Sequence, residues 1–320
     1  MSGSEAGPYL SGGTLGRGRW GAAEGAEPAA GTGALGRPVT WRQRYQDAVQ
    51  RLGSSAEARW IVEEAASDPW PRQLDDPVSV RAQRYFEQML ERRAAGEPLQ
   101  YVLGRWQFRT LDLLVDRRVL IPRPETEQVV GVALAELAKL RGPGGDLIVV
   151  DLGTGSGAIA LSIAAEGHPT AVWAMDVSAD AVAIARANLA GLGGTRAAKV
   201  RLVEGSWWEA LPGELRGAVS LVVSNPPYVT TAEMADLPPV VADWEPALAL
   251  DGGRHGLDAI GIILEQAPDW LARPGTLVME IAPHQAAAAE ALAHAAGFDV
   301  TRMEKDLAGR DRALVAGFRG

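Results

Sequence analysis

Two short segments of this sequence combine residue types that chemistry can use. In the first, Ile148-Val149-Val150-Asp151-Leu152 has the unbroken apolar character of a buried strand, and Gly153-Thr154-Gly155-Ser156-Gly157 follows where the chain must turn into a helix. Glycines at such a turn admit positive φ and let a ligand lie against bare backbone at a helix N-terminus. Twenty-five residues after Asp151 a second strand ends in Asp176-Val177, where a doubly wound fold sets a carboxylate on ribose hydroxyls. The spacing predicts a nucleoside-bearing ligand held by Asp151, Gly153, Thr154, Gly155, Ser156, Gly157, Asp176 and Val177. Two ligands remain open on this segment. Gly153, Gly155 and Ala158 satisfy the G-x-G-x-x-A dinucleotide pattern, whereas Asp151 suits a cationic amino-acid moiety better than a pyrophosphate and favours S-adenosylmethionine.

The second segment is Asn225-Pro226-Pro227-Tyr228, at the end of a strand-like run over residues 219–225. Two successive prolines cannot extend a central strand, so the chain leaves the sheet at its carboxyl edge, beside the nucleoside pocket. An amide or exocyclic amino nitrogen has a delocalised lone pair and attacks a sulfonium methyl poorly unless its N–H groups are held and polarised. Asn225 supplies one acceptor through its side-chain carbonyl, the Pro226 backbone carbonyl supplies a second, and Tyr228 stacks on the planar group. No base is needed before attack, because the cationic product sheds its proton readily. Asn225, Pro226 and Tyr228 are the predicted catalytic residues, Pro227 completes the substrate cradle, and Asn225 also adjoins the cofactor.

These segments need a scaffold, and the rest of the pattern supplies one. Apolar runs at residues 147–151, 170–176, 199–204, 219–225, 276–281, 298–303 and 312–318 alternate with helical periodicity. That alternation predicts an α/β fold with a doubly wound, mostly parallel seven-stranded sheet, the last two runs pairing as an antiparallel edge. Upstream, Trp41, Tyr45, Ala48, Val49 and Leu52 share one helical face, and Ser54 and Glu57 offer a capping box for the next helix. Asp76-Pro77 reads as the N-cap and first turn of a third helix carrying Val78, Ala82, Phe86, Met89 and Leu90, which Gly96-Glu97-Pro98 then breaks. Alternating apolar residues between Tyr101 and Pro122 predict a β-hairpin turning near Asp116-Arg117. The expected organisation is a disordered tail (1–37), a helical domain (38–100), a hairpin linker (101–122) and a catalytic domain (123–320).

Composition removes whole classes of function. The absence of cysteine excludes disulfides, thiolate metal sites and a cysteine nucleophile, and His168, His255, His284 and His294 have no ligand-like spacing, so no metal is expected. A net charge of −9 argues against a nucleic-acid backbone as the main partner. The apolar run at residues 147–150 is far too short for a bilayer, the N-terminus lacks a secretory pattern, and Glu5, Glu24 and Glu27 are unlike a transit peptide. A cytoplasmic protein is expected, and nothing in the pattern requires more than a monomer.

From about Trp41 to its end the chain resembles the protein-glutamine N-methyltransferases that modify peptide chain release factors. The resemblance rests on Gly96-Glu97-Pro98-Leu99-Gln100-Tyr101, Ile121-Pro122-Arg123-Pro124-Glu125-Thr126-Glu127, the glycine loop, Asn225-Pro226-Pro227-Tyr228, Glu245-Pro246-Ala247-Leu248-Ala249-Leu250, and Lys305-Asp306-Leu307-Ala308-Gly309-Arg310-Asp311-Arg312. It implies a Rossmann-like methyltransferase domain behind a helical substrate-recognition domain. S-adenosylmethionine would be the cofactor, leaving as S-adenosylhomocysteine, and the glutamine of a release factor's Gly-Gly-Gln motif the substrate. By the same resemblance Trp207 stacks on adenine, with Ser206 where relatives often carry an acid, and Arg123, Glu125 and Thr126 close over the methionine part. The alternatives are glutamine methylation of a ribosomal protein, and adenine-amino DNA methylation, whose enzymes share an Asn/Asp-Pro-Pro-aromatic element.

Overall fold

A computed structural model describes residues 38–67, 74–140 and 146–319. The tail expected over residues 1–37 lies outside them. The described residues begin with four helices, α1 (Trp41–Leu52), α2 (Ser55–Ala66), α3 (Val80–Ala94) and α4 (Leu99–Leu103). Hydroxyl caps start the first three: Thr40 forms a reciprocal box with Gln43, Ser54 accepts from the Glu57 amide, and Ser79 accepts from the Ala82 amide. Their apolar faces close on one core of Ala48, Ile61, Val62, Phe86, Met89, Leu90, Leu99 and Val102. The third helix begins later than the Asp76-Pro77 pattern predicts. Val78 donates its amide to the Val39 carbonyl at 2.7 Å and Pro77 bridges Thr40, so this stretch is extended and Ser79 becomes the cap.

The hairpin also differs from expectation. Tyr101 lies in α4, and strands β1 (Arg105–Phe108) and β2 (Leu111–Leu114) pair through a turn at Arg109-Thr110. Arg109 takes a left-handed φ of 51°, and its guanidinium holds the turn against the next domain. It binds Glu166 at 2.9 and 2.7 Å and the Glu127 carbonyl at 2.8 Å. The predicted Asp116-Arg117 turn exists, closed by a Val119 amide to Asp116 carbonyl bond of 3.0 Å, but it follows the hairpin. Asn188 ties the outer hairpin edge down, bonding both the amide and the carbonyl of Leu114 and the carbonyl of Ser156.

The remaining elements are α5 (Pro124–Lys139), β3 (Ile148–Leu152), α6 (Ala158–Glu166), β4 (Ala171–Asp176), α7 (Ala179–Leu192), α8 (Gly194–Ala197), β5 (Val200–Glu204), β6 (Val219–Ser224), α9 (Pro239–Ala242), α10 (Asp258–Trp270), β7 (Leu271–Glu280), α11 (Ala286–Ala295), β8 (Val300–Lys305) and β9 (Asp311–Phe318). The strands form a seven-stranded sheet in the order β5-β4-β3-β6-β7-β9-β8. β3 to β7 run parallel, β9 is antiparallel to β7, and β8 pairs antiparallel with β9 at the edge. Alternate residues of one strand serve opposite layers. Val149, Leu221, Val223 and Val278 pack in a core with α5 and α6, while Val150, Leu152, Val222, Leu277 and Met279 pack in a second core with α10 and α11. Both faces are covered, which explains the unbroken apolar runs.

Phe86 is fully buried at the centre of the helical core. Phe86→Ala is expected to cost about 3–5 kcal/mol of that domain's stability in denaturant unfolding. A loss under about 1 kcal/mol would show that this core collapses around the missing ring.

Candidate active site

Parallel pairing sets Leu152 beside Ser224 in adjacent strands, and the Ser224 hydroxyl donates to the Leu152 carbonyl at 2.7 Å. The next residues, Gly153 and Asn225, therefore leave the sheet side by side where the winding direction changes, the usual ligand position in open α/β sheets. A cavity of about 520 Å³ opens there, within the roughly 300–1,000 Å³ common for small-molecule sites. Its walls are the glycine loop, Asp176–Ser178 and Gly205–Trp207 on one side, and Asn225, Pro227 and Thr126 on the other. The chain after the hairpin (Arg118–Leu120 and Pro122) and residues of the 246–262 segment complete it.

Gly153, Thr154, Gly155 and Ser156 line this cavity, while Gly157 sits just behind as the left-handed start of α6. The loop is pinned from below, with the Gly153 and Thr154 amides donating to the Met175 carbonyl at 2.9 and 2.8 Å. Gly153 has a φ of 76°, and a side chain there would stand 3.7 Å from the Trp207 indole, against the cavity wall. Bare backbone is what keeps this wall open to a ligand.

Asp176 and Val177 line the cavity beside it. The Asp176 carboxylate accepts from the Gly155 and Ser178 amides at 2.8 and 3.0 Å, and each oxygen keeps a lone pair for a ligand hydroxyl. Burial raises its pKa, opposed by those two amides.

Asp151 does not line the cavity. It is fully buried beneath the loop, where Oδ2 accepts from the Thr154 hydroxyl at 2.7 Å and the Ala160 amide at 3.1 Å. Its other oxygen, Oδ1, has no partner among the described residues. An uncompensated buried acceptor under a ligand loop fits a ligand with positive charge, acting through the loop rather than by contact.

The two adjacent tryptophans divide their roles. Trp208 is buried and stacks on Trp270 at 5.8 Å, whereas Trp207 faces the cavity with a left-handed φ of 44°. Such a conformation is costly for a bulky residue, and the surrounding packing holds it where the indole forms a flat wall.

Pro226 and Tyr228 stand behind Asn225 and Pro227 rather than in the lining. Asn225 donates through Nδ2 to Thr126 Oγ1 at 3.2 Å. Among the described residues neither its Oδ1 nor the Pro226 carbonyl accepts a hydrogen bond. The Tyr228 hydroxyl reaches Glu280 at 3.2 Å, and burial and that neighbouring carboxylate push its pKa upward. Gln285, buried, donates to the Tyr228 carbonyl at 2.9 Å and to the Gly256 carbonyl at 3.0 Å. Gly252 packs so tightly that a side chain would come within 2.7 Å of the Pro227 carbonyl. Of the hairpin-exit residues, Thr126 reaches the cavity. Arg123 instead pairs with buried Glu245, and Glu125 meets Arg310 at 3.7 Å.

Residues 136–238 match the Methyltransferase small domain and residues 45–104 the PrmC N-terminal domain. The release factor glutamine methyltransferase of Moorella thermoacetica is 40% identical over 288 residues, 87% of this chain and 98% of that protein. This chain belongs to the release factor glutamine methyltransferase family. A second member, from Xylella fastidiosa, is 42% identical over 75% of this chain and 84% of its own. The fold is that of the class I methyltransferases: the hMettl16 catalytic domain, solved in complex with MAT2A 3′UTR hairpin 6, matches with a TM-score of 0.53 at 15% identity, over 72% of this chain and 81% of that one.

The sequence alone assigns no site role to Glu280, Gln285 or the 246–262 wall, although residues 245–250 carry part of the resemblance. Glu280 carried a signal, a carboxylate flanked by Met279 and Ile281 in an apolar run. Gln285 carried none, since it acts on loops distant in sequence.

Burial pushes the Asp151 carboxyl up to about 7, against the pull of Thr154 and Ala160. The folded protein then holds this proton more tightly than the unfolded chain, so stability is present at low pH and is lost as pH rises from about 4 to about 7. Asp151→Asn keeps an acceptor but cannot ionise. The Tm of the wild type is expected to fall relative to this variant across that interval, and parallel pH profiles would contradict it.

Proposed function

We propose that this protein transfers the methyl group of S-adenosylmethionine to the side-chain amide nitrogen of the glutamine in the Gly-Gly-Gln motif of peptide chain release factors, releasing S-adenosylhomocysteine. The observation that carries the reading is the juxtaposition of the glycine loop with an Asn225 amide whose Oδ1 is unengaged by the described residues. The substrate class rests on the relatives, whose names state release factor glutamine methylation, and on the N-terminal match. Neither the ribosomal-protein nor the adenine-amino alternative has comparable support.

When bound, S-adenosylmethionine supplies an electrophilic methyl on a sulfonium. The chain's residues bind and aim. The Asp176 oxygens take ribose hydroxyls, Val177 and Trp207 enclose the base, and the glycine loop gives backbone contact to the rest. Asn225 Oδ1 and the Pro226 carbonyl accept the two N–H groups of the target amide, which draws electron density onto the nitrogen and fixes its lone pair. Pro227 lines the slot for the planar group, and Tyr228 backs it from behind. Positioning and oriented dipoles provide the acceleration, with no proton taken before attack.

We take the protein to act in the cytoplasm as a monomer, on a protein substrate rather than on nucleic acid. Among the described residues no helix is long and apolar enough to cross a membrane. The helical domain is the recognition surface in this reading. Trp60 and Tyr85 are 41% and 40% exposed there, Trp60 lies edge-on to Trp106 at 5.5 Å, and the charges of Glu64, Arg92 and Arg105 act on Tyr85. Exposed aromatics rimmed by charge are the common anchors of protein interfaces.

Asn225→Ala is expected to lower kcat on intact release factor by about 100-fold while S-adenosylmethionine binding, read by calorimetry, persists. Wild-type turnover in that variant would refute the role of Asn225. Trp60→Ala with Tyr85→Ala is expected to raise KM for release factor about tenfold or more with cofactor affinity intact. An unchanged KM would remove these side chains from the recognition surface.

A further inference from the structure

Glu280 ends β7 with 1% of its surface exposed, and both its oxygens are engaged. Oε2 accepts the Thr126 hydroxyl at 2.7 Å, and Oε1 accepts the Tyr228 hydroxyl at 3.2 Å. A threonine hydroxyl has a single proton and two lone pairs. With that proton committed to Glu280, Thr126 Oγ1 can only accept, and the group it meets is Asn225 Nδ2 at 3.2 Å. Nitrogen and oxygen lie on opposite corners of the amide plane, so pinning Nδ2 to Thr126 leaves Oδ1 as the end that a ligand can use.

We propose that Glu280, acting through Thr126, is the positioning residue that fixes the polarity of the Asn225 amide, so that the site presents an acceptor, not a donor, to the incoming amide. The inference rests on the methyl-transfer reading. It also explains why an acid stands here. A glutamine at 280 has one acceptor and one donor end, so it cannot take protons from both Thr126 and Tyr228. If its nitrogen faced Thr126, the threonine proton would turn to Asn225, the asparagine amide would rotate, and an N–H pair would face the substrate N–H groups. An ionised carboxylate permits a single arrangement of all three partners. Burial pushes the Glu280 carboxyl upward, and the Thr126 hydroxyl, the Arg312 charge and the Tyr228 hydroxyl oppose that shift in favour of the ionised form; Arg312 is itself held by the Ile281 carbonyl at 3.3 Å and Asp306 at 3.6 Å. Through Tyr228 the same carboxylate also steadies the aromatic side of the slot, so one group sets both the polarity and the plane of the cradle.

The test uses the full-length protein in three variants. Thr126→Val keeps shape and removes the hydroxyl, Thr126→Ser restores it, and Glu280→Gln breaks the acceptor pair. On release factor under saturating S-adenosylmethionine, Thr126→Val and Glu280→Gln are expected to lose about tenfold in kcat, Glu280→Gln with unchanged affinity for S-adenosylhomocysteine, and Thr126→Ser to recover most of the rate. Thr126→Val turning over like wild type, or Thr126→Ser as slow as Thr126→Val, would overturn the proposal. The orientation is also read without substrate, from hydrogen exchange of the Asn225 side-chain amide by ¹⁵N NMR, assigned with Asn225→Asp. Slow exchange in wild type and Thr126→Ser but fast exchange in Thr126→Val supports the proposal, and equal rates in all three contradict it. A wild type that fails to methylate release factor would count against the substrate reading, and the exchange rates would still decide the role of Thr126 and Glu280.

Discussion

The parallel pairing of β3 with β6 is the constraint on which the site depends. Register sets Leu152 beside Ser224, and the Ser224 hydroxyl bonded to the Leu152 carbonyl locks that register at the last rung. Everything chemical follows one residue later, where Gly153 and Asn225 leave the sheet. A slip of two residues would carry the donor loop and the acceptor amide apart by more than 6 Å, since a strand rises about 3.3 Å per residue. Because both faces of these strands are buried, such a slip would also break the packing of Val150 and Val222 against α10. The hydrophobic layers therefore hold catalytic geometry as well as stability.

Around this edge, polar groups are buried wherever position matters more than solvation. Asp151 supports the glycine loop from beneath, Glu245 joins the hairpin exit to the 246–262 segment through Ile121 and Arg123, and Gln285 braces the chain after the two prolines. Each carries a desolvation cost that hydrogen bonds only partly offset. Such groups cluster at functional sites because a fully satisfied network admits few alternative geometries. Asp176 is held by the Gly155 and Ser178 amides and Asn225 by the Thr126 hydroxyl, two separate sets of bonds on one cavity.

Much of this was legible in the sequence because its signals are local. Buried parallel strands read as continuous apolar runs, glycines mark the loop, and two prolines end β6 at Ser224. What was not legible depends on contacts between distant residues. Arg109 turns the hairpin because Glu166 and the Glu127 carbonyl hold it, while the Asp116-Arg117 turn forms beyond the hairpin instead of closing it. Ser79 rather than Asp76 caps α3 because Val39 takes the Val78 amide. Asp151 stands in the expected segment but behind the loop, since strand alternation, not residue type, decides which way it points. Glu280 reads as a strand end until Thr126, 154 residues away, is brought to it.

The central claim is that the donor loop and the Asn225 acceptors converge on one glutamine amide of a release factor. Mass spectrometry of purified release factor, incubated with this protein and methyl-labelled S-adenosylmethionine, tests it most directly, with a Gln→Ala form of the Gly-Gly-Gln motif as control. A single labelled methyl on that glutamine, absent from the control, is the expected result. Label on another residue, equal label in the control, or no label at all would contradict the account.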